Sequence, residues 1–225
     1  MTISVQPELP AGFRLRAGAM HVWVADLDLQ SGKGDLLSDS ERARADRFLR
    51  ACDGRRWSHA REVLRSLLGA YLRADPKELR FKTSAHGKPE LEGYPQGICF
   101  NVSHSGGAAV YAVAEQPVGV DVELEGRNID VLAVAERALG SAVKTRLSAL
   151  DPEVREREFL KEWVRHEAMV KCLGSGLASK DADERTHSPW VTELDTGPRW
   201  TAAGATAAVA AMSEPSEVIC REWQP

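Results

Sequence analysis

The chain has 225 residues, 43% hydrophobic and 28% charged, with a formal net charge of −4. That balance fits one large soluble domain or two small halves with a sizeable core, and it excludes a disordered or fibrous chain. The mild acidity argues against a general nucleic-acid binder, and even the Ala-rich run Ala202–Met212 is too short and too weakly apolar to span a bilayer. No targeting segment is visible, so a cytoplasmic protein is expected. Cys52, Cys99, Cys172 and Cys220 form no CxxC pair and read as reduced thiols.

In chain order, His21-Val22-Trp23-Val24-Ala25-Asp26-Leu27 alternates as a strand within Met20–Leu29. Ser38 with Glu41 three residues later is a capping box that opens a helix to about Leu49. A stronger helix carries Ala60, Val63, Leu64, Leu67, Leu68 and Leu72 at helical spacing. From Arg42 to Arg65 there are eight arginines against Asp46, Asp53 and Glu62, a local cationic patch suited to a small polyanion. Ile98–Ser103, Ala108–Ala114 and Val118–Leu124 read as strands of an antiparallel meander. Helical patterns follow over Val131–Leu139 and Glu153–Leu173, the latter with Asp151 as N-cap, Pro152 at N1 and Gly174 as stop. Short strands near Trp190–Leu194, Thr206–Met212 and Val218–Trp223 complete the order. The succession predicts an α+β protein of two halves, 1–115 and 116–225.

Alternation of Val118, Val120, Val122 and Leu124 with Gly119, Asp121 and Glu123 sets the two carboxylates on one strand face. About 7 Å apart, they repel by roughly 2 kcal/mol at an effective dielectric of about 20. A strand keeps such a pair most readily beneath a cation, and an oxygen-only ligand set suggests Mg²⁺ or a similar hard ion. Removing one of the two is expected to leave the fold intact, with a melting temperature that can even rise without metal. Glu167 and Lys171 are four apart and share a helix face with Leu160 and Val164, as expected beside a cleft or of a surface ion pair. Asn101-Val102-Ser103-His104-Ser105-Gly106-Gly107 can cradle phosphate oxygens or simply end a hairpin. Gly87-Lys88-Pro89 is a rigid turn presenting one lysine to solvent.

Together, Gly87-Lys88-Pro89, Phe100-Asn101-Val102-Ser103-His104-Ser105, Gly119-Val120-Asp121-Val122-Glu123 and Trp163-Val164-Arg165-His166-Glu167-Ala168-Met169-Val170-Lys171, with Gly174-Ser175-Gly176-Leu177 after, resemble the Sfp-type 4′-phosphopantetheinyl transferases. The resemblance implies a pseudo-dimer of two similar α+β halves with the active site between them, and a monomer. It implies transfer of the phosphopantetheine arm of coenzyme A to a serine of an apo acyl or peptidyl carrier protein of polyketide or nonribosomal peptide synthesis. Adenosine 3′,5′-bisphosphate is released and Mg²⁺ is required. Asp121, Glu123 and Glu167 would be metal ligands, Glu167 also the candidate base, and Lys171 would stabilise the departing diphosphate. Ser103 and His104 would contact coenzyme A phosphates. Lys88 with arginines of the 42–65 stretch, Arg44 and Arg56 among them, would hold the 3′-phosphate. His166 stands where the family usually has Lys or Arg, and is expected to meet a phosphate as the cation. A non-catalytic coenzyme A-binding module of the same fold and a metal-dependent phosphodiester hydrolase are the competing readings.

Overall fold

In the computed structural model, residues 14–29, 34–84, 87–94, 97–126, 129–174 and 188–224 are described. The N-terminal part runs β1 (Ala19–Asp26), α1 (Asp39–Ala45), α2 (Ala51–Leu72), β2 (Phe81–Thr83), β3 (Pro89–Leu91), β4 (Cys99–Ser105) and β5 (Ala108–Ala114). The remainder runs β6 (Val118–Leu124), α3 (Val131–Ala138), α4 (Ser141–Ser148), α5 (Pro152–Leu173), β7 (Trp190–Glu193), α6 (Pro198–Ala202), β8 (Ala205–Ala211) and β9 (Glu217–Glu222).

Two sheets lie face to face, one ordered β4-β5-β1-β9 and the other β6-β8-β7, with a separate β2-β3 hairpin. Strand alternation assigns the layers. On β1 and β5, Trp23, Ala25, Ala109, Tyr111 and Val113 pack against Val63, Leu64, Leu67 and Leu68 of α2. The intervening residues Met20, Val22, Val24, Val110 and Ala112 pack against Val118, Val120, Val122 and Val209 of the second sheet. The outer face of that sheet, through Ala208 and Ala210, is covered by Val164, Ala168 and Cys172 of α5. The order is therefore α2, first sheet, second sheet, α5. It is the mixed α+β architecture expected from the sequence.

Three features depart from the local pattern. The three-strand meander does not form: β4 and β5 make a hairpin, but β5 gives its other edge to β1, and β6 pairs with β8 instead. The three residues Glu115–Pro117 between β5 and β6 carry the chain from one layer to the next. The last strand, β9, returns to pair in parallel with β1, so it completes the first sheet rather than the second half. Third, the arginines of α2 are not all available to a polyanion. Arg65 is 2% exposed, and it donates to Glu41 and to the carbonyls of Pro76 and Leu79. Glu41 is also the N3 residue of the α1 capping box, so one carboxylate closes the start of α1 and anchors α2.

Buried His21 is held by Tyr71, whose hydroxyl also accepts from the Trp23 indole N–H at 3.0 Å. The same hydroxyl lies 2.7 Å from His21 Nδ1. Burial, then the Arg221 charge, lowers the His21 pKa from its ordinary 6.5, against an opposing pull from Glu217. The unfolded chain therefore takes up the proton first, and stability is lost as pH falls below about 6.5. The melting temperature should drop between pH 7.5 and 5.5, and less steeply in His21→Gln. Parallel curves for the two proteins would remove His21 as a cause.

Candidate functional site

Gly119 brings β6 and α5 into contact. A Cβ there would overlap the Ala168 carbonyl oxygen and the Cys172 amide nitrogen, and would meet the Lys171 carbonyl carbon at 3.0 Å. With no side chain at Gly119, the Asp121 face of β6 lies directly on the Glu167–Lys171 turn of α5. Ser103 Oγ donates to Asp121 Oδ1 at 2.7 Å, and Lys171 Nζ donates to the same oxygen at 2.6 Å and to Ser103 Oγ at 3.1 Å. Strand β4, helix α5 and strand β6 thus meet in one triangle of serine, ammonium and carboxylate.

The polar residues of β4 stitch the two sheets. Asn101 Oδ1 accepts from the Val120 N–H at 2.9 Å, and Ser105 Oγ from the Leu124 N–H at 3.2 Å. Asn101 and Ser105 thus satisfy two amides of β6, while Ser103 between them bonds the Asp121 side chain. The sequence placed Asn101 and Ser105 in a phosphate-cradling or hairpin-end motif, not as links between the sheets. Their period-2 spacing with Ser103 was the available signal.

Asp121 is 3% exposed and Glu167 8%. Oδ2 of Asp121 and Oε1 of Glu167 are buried with no hydrogen-bond partner. Burial, then the Asp121 charge, holds the Glu167 carboxyl above its ordinary range; Lys171 opposes this and Glu123 adds a smaller push. Two unpaired carboxylate oxygens from different elements fit one side of a hard cation. Among the described residues, no three His, Cys, Asp or Glu side chains cluster closely enough to hold an ion alone. The protein offers a partial coordination shell, which oxygens of a phosphorylated substrate would complete.

The other sequence-predicted residues are spread over β4, α5, α1, α2 and the turn before β3. His104 alternates with Ser103 and so points to the opposite face of β4. It is exposed at the sheet edge, yet desolvation, then the Lys171 charge, lowers its pKa. His166 is half-buried, with its ring 6.5 Å from that of Trp163, and burial lowers its pKa also. Without a bound anion it is therefore neutral at pH 7. Arg56 forms a two-pronged pair with Asp28 at 2.8 and 2.7 Å. Lys88 is not an exposed turn lysine. Its Nζ donates to the carbonyls of Val118 at 3.0 Å and Lys171 at 2.8 Å. Of the Gly174–Leu177 motif, Ser175, Gly176 and Leu177 lie outside the described residues.

Arg44 is exposed and lies over the Trp57 ring, 5.1 Å from its centroid. Both line a cavity of about 840 Å³ whose cations are Arg44, Arg61, Arg65, Lys77, Arg80 and Lys82, against the acids Glu41, Glu78 and Glu92. Lys77, Arg80 and Lys82 went unnoticed in the sequence, although three cations within six residues were a legible signal.

A metal-competent carboxylate pair, an adjoining lysine and a cationic cavity are the parts that phosphoryl transfer requires. Comparison with known proteins agrees. Residues 23–116 match the family model described as 4′-phosphopantetheinyl transferase, N-terminal, and residues 117–210 that of the 4′-phosphopantetheinyl transferase superfamily. The chain is 32% identical over 200 residues to 4′-phosphopantetheinyl transferase HetI of Nostoc sp., covering 85% of this chain and 84% of that protein. It is 30% identical over 143 residues to 4′-phosphopantetheinyl transferase Sfp of Bacillus subtilis, covering 64% and 62%. A putative 4′-phosphopantetheinyl transferase of Synechocystis sp., slr0495, is 32% identical over 161 residues, with 70% and 65% covered. On the strength of near full-length similarity and two adjoining family matches, the chain belongs to the Sfp-type 4′-phosphopantetheinyl transferases.

Proposed function

We propose that this transferase moves the 4′-phosphopantetheine arm of coenzyme A to a serine hydroxyl of an apo carrier protein, acyl or peptidyl, serving polyketide or nonribosomal peptide synthesis. The serine oxygen forms a bond to the β-phosphorus as the diphosphate P–O bond breaks, and adenosine 3′,5′-bisphosphate leaves. The observation that carries this reading is the β6–α5 seam, where the buried, unpartnered oxygens of Asp121 and Glu167 adjoin Lys171.

Asp121 and Glu167, with Glu123 beside them, would hold Mg²⁺, which when bound would neutralise the carboxylates and polarise the diphosphate. Glu167 is the candidate to receive the serine proton, directly or through water, but a carboxylate on a metal is a weak base, so its ligand role comes first. Lys171 is the cation for charge on the leaving diphosphate. Ser103 and His104 would contact coenzyme A phosphates from opposite faces of the β4 edge. His166 would join them once a phosphate raises its pKa. The cationic cavity beside Arg44 suits the 3′-phosphate end. Arg56 would have to release Asp28 to take part.

The test is the intact mass of an apo carrier protein incubated with this protein, coenzyme A and Mg²⁺. Gain of one phosphopantetheine arm is expected, lost with EDTA or with Ser→Ala in the carrier. No gain across acyl and peptidyl carriers, with coenzyme A still bound, would replace the transferase reading with that of a binding module. Release of adenosine bisphosphate without a carrier would indicate a hydrolase.

A further inference from the structure

Lys88 stands between Gly87, in a left-handed conformation at φ +85°, and Pro89 at the start of β3. From the β2–β3 hairpin its ammonium reaches to two carbonyls on the other side of the molecule: Val118 at the start of β6 and Lys171 in the last turn of α5. The Lys171 carbonyl is among the last four of the helix, which have no partner within it, and the end of a helix dipole favours a cation. Burial is the main influence on this ammonium and lowers its pKa; the charges facing it are Glu90, Lys171 and the thiols of Cys99 and Cys172. Two of its three donors are thus committed to backbone. The residue it grips by the main chain is the one whose side chain forms the Asp121–Ser103 triangle.

We propose that Lys88 is a positioning residue: a clip from the β2–β3 hairpin that fixes the end of α5 against β6, and through it the Lys171 ammonium, without contacting the coenzyme A 3′-phosphate. Neither backbone bond could persist if the ammonium swung out to a phosphate at bonding distance. The inference rests on the proposed transfer reaction for its kinetic consequence.

Lys88→Met keeps the length of the side chain and removes the donors. Steady-state transfer should be compared with coenzyme A and with 3′-dephospho-coenzyme A. A shift on the order of 1 Å in a catalytic group costs about 10²-fold. The variant should therefore lose about 10- to 100-fold in kcat with both substrates. Its KM for coenzyme A should stay within about twofold, and the preference for coenzyme A over the dephospho form should be unchanged. Calorimetric affinity for adenosine 3′,5′-bisphosphate should be retained. A raised KM with kcat preserved and the preference abolished would make Lys88 a phosphate ligand and overturn the proposal. A lower melting temperature with unchanged kcat would reduce it to scaffold and also overturn it. If Lys88→Met does not fold, Lys88→Gln, which keeps amide donors but no charge, decides instead: an unchanged preference for coenzyme A over the dephospho form supports the clip, and a raised KM with that preference lost overturns it. If the wild-type protein transfers nothing, the proposed reaction fails, while hydrogen exchange still decides the clip. Lys88→Met should then expose the amides of the last α5 turn and leave those of α2 protected; equal protection of both would refute it.

Discussion

Asp121→Ala should abolish carrier modification and lower the melting temperature. The activity loss should be at least 10³-fold, on the order expected when a preorganised electrostatic group is removed from a transferase site. One partner of Lys171 goes, one hydrogen bond of Ser103 goes, and with them one of the two oxygen donors available to a metal. The stability effect runs opposite to what two repelling carboxylates on a strand suggest. Lys171 contacts Asp121 at 2.6 Å, so the truncation leaves a partly buried ammonium without its counter-charge. Breaking a fully buried pair costs about 3–5 kcal/mol. Lys171 is 28% exposed, and water replaces part of the lost interaction, so about 1–3 kcal/mol is expected. Asp121→Asn, which retains an acceptor for Ser103, should recover much of the melting temperature but little activity. The checks are intact-mass turnover at saturating coenzyme A and Mg²⁺, and thermal denaturation without metal. A folded Asp121→Ala protein working within tenfold of wild type would strip Asp121 of its assigned role. A higher melting temperature would mean that repulsion outweighs the Lys171 contact.

The second large effect lies at a residue with no side chain. Gly119→Ala adds one methyl where α5 backbone already stands, and backbone cannot turn aside as a flexible side chain can. Overpacking commonly costs about 1–3 kcal/mol and more where relaxation is blocked, so a loss of about 3 kcal/mol or more is expected. Transfer should fall with it, because separating β6 from α5 separates Asp121 from Glu167 and Lys171. Urea denaturation against Gly97→Ala provides the control, since nothing lies within 4 Å of a Cβ at Gly97. Equal midpoints for the two variants would show that the seam is looser than the geometry implies.

Much of the site was legible because its grammar is local. The two-residue period of Val118–Leu124 put Asp121 and Glu123 on one face, and the four-residue spacing put Glu167 and Lys171 on another. The structure lays those faces together. What stayed hidden depends on partners distant in the chain. Arg65 looked like one more member of the cationic patch because Glu41 and the Pro76 and Leu79 carbonyls join it only in three dimensions. Arg56 is engaged by Asp28, and Lys88 by carbonyls 30 and 83 residues away. The meander failed for the same reason. The alternation of Val118–Leu124 identifies a strand with two different faces, but an edge carries no mark of which neighbour it will take. Asn101, Ser103 and Ser105 supplied an alternative to ladder pairing through side chains.

The return of β9 to β1 sets an order of events for the polypeptide. Nearly two hundred residues separate these paired strands, and Trp223, just past β9, closes edge-on against Trp23. A ribosome delivering this protein has made β1, β4 and β5 long before the strand that seals their open side emerges. Until then, one border of the first sheet offers unpaired amides to other nascent chains. Closure of so long a loop is also a slow contact to form. Synthesis therefore passes through an interval in which the first sheet is assembled but not sealed, and the arrival of β9 closes that edge.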